Sequence, residues 1–209
     1  MRKNGAIIMG KKGFITYFCP NIMLMNKQNS TQFIIAVLLI LIAAISRVIM
    51  YPDNFSPIIG MAIFAGSTLK DKRLAFILPI FSMLLSDIMF EVFNIAPGFW
   101  GWGQLVGYGI LALITIIAFN LKKVNVKNVI GYSLMSSVIF YVLSNLSFFL
   151  IDNPVYHTYT HDSNGFMQCY IQALPFLRTS LVADLVYSGI LFGTYYAITS
   201  IVAKKRAVA

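Results

Sequence analysis

Five long apolar runs and one short one, divided by turns that hold most of the basic residues, are what most restricts this chain. The runs cover residues 33–50, 58–69, 74–93, 103–121, 129–151 and 176–203. A bilayer core about 30 Å thick is crossed by roughly 20 apolar residues in a helix, so all but the second run are near spanning length. Only 11% of the residues are charged and 58% are hydrophobic. A soluble domain carries about a quarter charged residues, so these runs read as membrane spans rather than as a large soluble core. The expected fold is an all-α membrane protein: a single bundle of about six transmembrane helices over residues 31–209, multi-pass in the cell (inner) membrane.

Charge sets the orientation. Lys and Arg fall at 2, 3, 11, 12 and 27, at 70, 72 and 73, at 122, 123 and 127, and at 204–206. Six crossings put all of these on one side, which the positive-inside rule makes the cytoplasm, together with both termini. The opposite side holds Asp53, Asp152 and Asp162 and no basic residue outside a span. The net charge of +9 is therefore topological, and nucleic acid is not expected as a partner. Residues 1–30 form a basic cytoplasmic tail without a secretory cleavage site, and Met25 offers an alternative start. Cys19 and Cys169 lie on opposite sides of the membrane in this topology and cannot pair.

The second run is too short to cross alone. It follows the break Tyr51-Pro52-Asp53-Asn54-Phe55-Ser56-Pro57, with Ser56 as expected N-cap and Pro57 as first helical residue. Irregular backbone at membrane depth is tolerated where it lines a protein cavity, so the break is expected to border one. A polar loop of some two dozen residues is expected after residue 151. Pro175 is expected to open the sixth span.

Five ionisable residues remain inside the spans: Arg47, Asp87, Glu91, Arg178 and Asp184. Each costs roughly 3 kcal/mol at a helix centre, so each needs a partner or a cavity. At about 1.5 Å rise per residue all five fall in the outer half of the bundle. Asn54, Gln104, Tyr108, Tyr141, Ser144 and Asn145 lie at similar depth, with Trp100 and Trp102 nearby. Gly103 and Gly107 are spaced for close helix approach. The structural reading pairs Arg47 with Asp87 or Glu91 and lets Arg178 snorkel to the surface. The functional reading is a polar cavity open to the outside. In it Arg47 and Arg178 hold an anionic group, and Asp87, Glu91 and Asp184 hold cationic or hydroxyl groups. Trp100, Trp102 and Tyr108 stack on a flat part of a small polar or zwitterionic solute.

Other chemistry finds little support. His157 and His161 are weak metal candidates because no third ligand is fixed, and a solvated lid over the cavity is the simpler reading of their loop. No phosphate-binding Gly-Lys-Ser/Thr loop is present, and no intramembrane His could serve a serine nucleophile, so neither an enzyme nor a cofactor is expected.

The run Asn54-Phe55-Ser56-Pro57-Ile58, then Ala62-Ile63-Phe64-Ala65-Gly66, then Ser86-Asp87 resembles an uncharacterised bacterial membrane family. Ser144-Asn145, residues 165–170, residues 173–176, Asp184 and Leu191-Phe192-Gly193 extend the likeness from Arg47 onward. In layout this family is similar to the substrate-binding S components of energy-coupling-factor (ECF) vitamin transporters. That resemblance implies a substrate pocket in the outer half, a transmembrane coupling subunit and two cytoplasmic ATPases. S components often carry an Ala-xxx-Ala docking face on the first helix, whereas here Ala36 is followed by Ile40. The expected function is a binding subunit for uptake of a small polar organic nutrient. The alternatives are a stand-alone ion-coupled carrier, with Asp87 or Asp184 relaying protons, and a non-transporting membrane scaffold.

Overall fold

The computed structural model describes residues 30–49, 54–99 and 101–208, with side chains described as far as residue 205. The basic tail, Cys19, residues 50–53 and Trp100 lie outside the described residues. Six helices and no strand occur among them: α1 (Ser30–Ile49), α2 (Ile58–Thr68), α3 (Lys72–Val92), α4 (Trp102–Ala118), α5 (Val126–Ser147) and α6 (Ser163–Val208). Beyond Ser147, α5 runs on through a π-helical turn, Phe148–Asp152, and one further helical turn, Asn153–Tyr156.

Four of these stretches are long and apolar enough to cross a membrane: α1, α3, Val126–Tyr156 and Ser163–Lys205. The 17-residue α4 lies at the lower limit of spanning length. Their outer surfaces are apolar. On α1, Ile34, Leu38, Ile42, Ile45 and Ile49 form an exposed stripe at helical spacing, while Ala36, Ile40, Ala43 and Ala44 face inward. Water would penalise so large an uncovered apolar surface, and lipid does not.

The short α2 is the axis of the bundle and touches all five other helices. Its residues 58–66 are all buried, as expected of a helix that is apolar on every side. Its final carbonyls are tied off by Lys72, whose Nζ donates to the carbonyl of Gly66 at 3.0 Å and sits over the Phe119 ring. A cation there also complements the helix dipole. Asp71 caps α3 by accepting from the Arg73 amide at 2.9 Å, and Asn125 caps α5 by accepting from Asn128 at 2.8 Å. These caps place the basic turns at one end of the bundle.

Two local expectations are corrected. Ser56 does not cap α2; the cap position is Pro57, whose carbonyl accepts from the Met61 amide at 2.8 Å. The sixth span does not begin at Pro175. The helix starts twelve residues earlier, at Ser163, and carries Pro175 in its interior. Asp162 supplies the start signal, its carboxylate accepting from the Gly165 amide at 2.8 Å. Three-quarters of the expected outer loop, residues 152–175, is therefore helical. This extension packs on the end of α5: the Tyr141 hydroxyl donates to the Tyr170 carbonyl at 2.6 Å, the Tyr170 hydroxyl donates to the Val142 carbonyl at 2.8 Å, and the Phe149 and Phe166 rings meet edge to face. Only 157–162 is non-helical, and the Asn153 amide clasps it, exchanging hydrogen bonds with the Tyr159 backbone at 3.0 and 2.7 Å.

Candidate functional site

Two polar clusters occupy the end of the bundle opposite the basic turns. The first joins α1, α3 and α4. Arg47, in the last turn of α1, donates to Asp87 and Ser86 on α3 and lies over the Phe90 ring, 4.7 Å from its centroid. The other Asp87 oxygen accepts from the Tyr108 hydroxyl at 2.6 Å and from Gln104 Nε2 at 2.9 Å. Gln104 also donates to the Gly98 carbonyl at 2.7 Å, and the Gly98 amide donates to Glu91 at 3.0 Å. This closeness demands glycine: a Cβ on residue 98 would fall 2.1 Å from the Asp87 carbonyl oxygen. Asp87 is only 2% exposed, and its charge is met by a cation and two further donors. A buried carboxylate so provided for is a structural joint.

The second cluster surrounds a cavity of about 370 Å³. Its floor and walls come from the broken entrance to α2 (Asn54, Phe55, Ser56, Ile58, Ile59), from Met83, Gly103, Gly107 and Phe140, and from Ser144, Asn145, Ser147, Phe148 and Asp152. Ser180 and Asp184 of α6 and Arg47 complete it. The expectation that the break before α2 borders a cavity is met. Asp184 is 2% exposed and accepts from the Ser137 hydroxyl at 2.6 Å. Asp152 is 8% exposed, and no side chain among the described residues donates to it. The hydroxyls of Ser56 and Ser147 are buried without a hydrogen-bond partner, and both residues line the void. Unsatisfied buried polar groups are uncommon in native interiors and call for a cause.

The π-helical turn explains part of this lining. Its i→i+5 pairing, with the Asn153 amide donating to the Phe148 carbonyl, alters the helical register after Ser147. Such turns concentrate at functional sites. Ser147, Phe148 and Asp152, all in or next to the turn, are the contributions that sequence reasoning missed, together with Phe55 and Phe140. The π-turn has no composition signature. Phe140 and Phe148 look like ordinary span residues.

Of the residues expected at the site, Arg47, Asn54, Asn145 and Asp184 line the cavity, with Asn145 Nδ2 also donating to the Tyr141 carbonyl at 2.8 Å. Asp87, Gln104 and Tyr108 belong to the joint behind Arg47. Glu91 is exposed and holds the Gly98 loop. Tyr141 braces α6. Trp102 is 74% exposed, and Arg178 is exposed on the outside of α6; neither borders the void. The rings that do are Phe55, Phe140 and Phe148. Gly103 and Gly107 both line the cavity, and Gly107 is not a helix-packing seat, because a Cβ there would meet nothing within 4 Å. The missing side chain makes room.

His157 and His161 lie in the non-helical turn, His157 in left-handed backbone with φ 50°, and the His161 ring packs on Phe149. No group of three His, Cys, Asp or Glu side chains suited to a metal occurs among the described residues. Asp162 is held below the ordinary aspartate range, first by the Gly165 amide and then by the Thr160 hydroxyl.

No curated protein and no solved structure matches the chain. Residues 27–206 match the family of unknown function DUF6580, and the chain belongs to that family.

Proposed function

We propose that this protein is an integral membrane binding subunit for uptake of a small polar organic nutrient, working with separate coupling and ATPase subunits. The observation that carries the reading is the cavity of about 370 Å³ with Asp184, Asp152 and two unpartnered serine hydroxyls on its walls. That volume is within the range of small-ligand sites, and charged groups are kept at membrane depth when they serve a pathway or a ligand. The six-helix layout supports the likeness to ECF S components. In that reading the exposed stripe of α1, and not the buried Ala36 and Ile40, is the side on which a coupling subunit would dock.

One observation favours a second reading, an ion-coupled carrier. Behind Asp184, away from the cavity, lie further hydroxyls: Ser137 shares its one proton between Asp184 at 2.6 Å and the Ser133 carbonyl at 2.9 Å, and the Ser133 hydroxyl donates to that of Ser188 at 2.9 Å. The two readings separate in cells. Loss of uptake on deletion of coupling-type ATPases supports the subunit. Uptake that survives that deletion and is abolished by an uncoupler supports the carrier.

A further inference from the structure

We infer that the cavity selects an organic cation, a small ammonium or ring-borne positive charge with an apolar part. This rests on the binding reading above and narrows it. Three lining residues are ionisable: Arg47, Asp152 and Asp184. The guanidinium of Arg47 is taken by Asp87 and Ser86 and seated on Phe90. Asp152 and Asp184 are left without a basic partner among the described residues, each more than nine-tenths buried. Among the described residues no basic side chain pairs with either, so the void carries an excess of carboxylate in surroundings that solvate charge poorly. A bound cation relieves that excess, whereas an anion would face two carboxylates and would have to draw Arg47 away from Asp87.

The other lining groups suit the same ligand. Phe55, Phe140 and Phe148 offer ring faces and edges to a cation and to an apolar body. The hydroxyls of Ser147 and Ser56, on two residues that line the void and both without a hydrogen-bond partner, can accept from an N–H or donate to a ligand oxygen. An inorganic cation such as Na⁺ would satisfy the carboxylates but not the three rings or the volume.

The test is thermal unfolding of the full chain in lipid nanodiscs against a bacterial metabolite extract separated by ion exchange into cationic, neutral and anionic fractions, with NaCl as a fourth arm. The cationic fraction alone is expected to raise the melting temperature. Asp152→Asn and Asp184→Asn should each weaken the half-saturating dilution by about tenfold or more. Asp152→Asn carries the test if the Asp184 variant, which also loses its Ser137 contact, does not fold. A shift produced only by the anionic or neutral fraction overturns the cation and leaves the binding subunit standing. A full shift with NaCl alone overturns the organic ligand. Silence in all four arms overturns the binding reading itself.

Discussion

The joint around Asp87 and the cavity beside Asp184 use the same kinds of residue in the same bundle, with Arg47 common to both, yet they are finished differently. At the joint a carboxylate meets a guanidinium, a phenol and an amide, and even the loop backbone at Gly98 is recruited. At the cavity one carboxylate has a single serine donor, another has none among the described residues, and two of the lining serines keep buried, unpaired hydroxyls. Completing a buried network stabilises one arrangement, while leaving groups open holds them for something that arrives. Burial alone does not tell the two apart, since Asp87 and Asp184 are equally inaccessible.

The largest effect should come from cutting the joint. Asp87→Ala leaves Arg47 unpaired in the interior and is expected to destabilise the protein by about 3–5 kcal/mol, read from denaturant unfolding in mild detergent. Gly98→Ala forces a methyl onto the Asp87 carbonyl and should cost about 1–3 kcal/mol in the same measurement. Crossing to the cavity should reverse the pattern. Ser147→Ala removes a hydroxyl that nothing satisfies, so stability should stay within about 0.5 kcal/mol of wild type while ligand affinity falls. A loss of stability like that of Gly98→Ala would erase the distinction between the regions.

The smallest effect concerns the start of α6, outside both clusters. The folded-state pKa of Asp162 is lowered by its amide and hydroxyl donors. The stability it contributes is therefore complete above the ordinary aspartate value of 3.8 and is lost as pH falls from there through the lowered one. Melting curves between pH 5 and pH 3, taken as about those limits, should show a slightly steeper acid loss for wild type than for Asp162→Asn.

Much of the joint was legible in the sequence. Arg47 and Asp87 have the right depths on two helices that run in the same direction, and a charge inside a span must be answered. The short α2 was legible too, because a run of twelve residues, 58–69, after a Pro-rich break cannot cross a bilayer. The cavity was only half legible. Asp184 announced itself by its cost, but Asp152 read as a loop charge because the π-turn that sets it on the wall is a property of packing between α5 and α6. Arg178 and Trp102 were misleading for the opposite reason: near a helix end, a long cation or an indole can reach the interface, so depth along the chain does not decide which way they face. Pro175 misled because proline is as compatible with a kink inside a packed helix as with a first turn.

Gly107→Leu gives the most direct test of the claim that the void is a binding site. Leucine favours a helix over glycine by several tenths of a kcal/mol up to about 1 kcal/mol, and the space beside Gly107 is open, so the variant should fold at least as well as wild type with its cavity filled. Mass spectrometry of small molecules released from both proteins after mild purification should find a bound species on wild type and none on the variant. The same content in both, with the variant stably folded, would contradict the account.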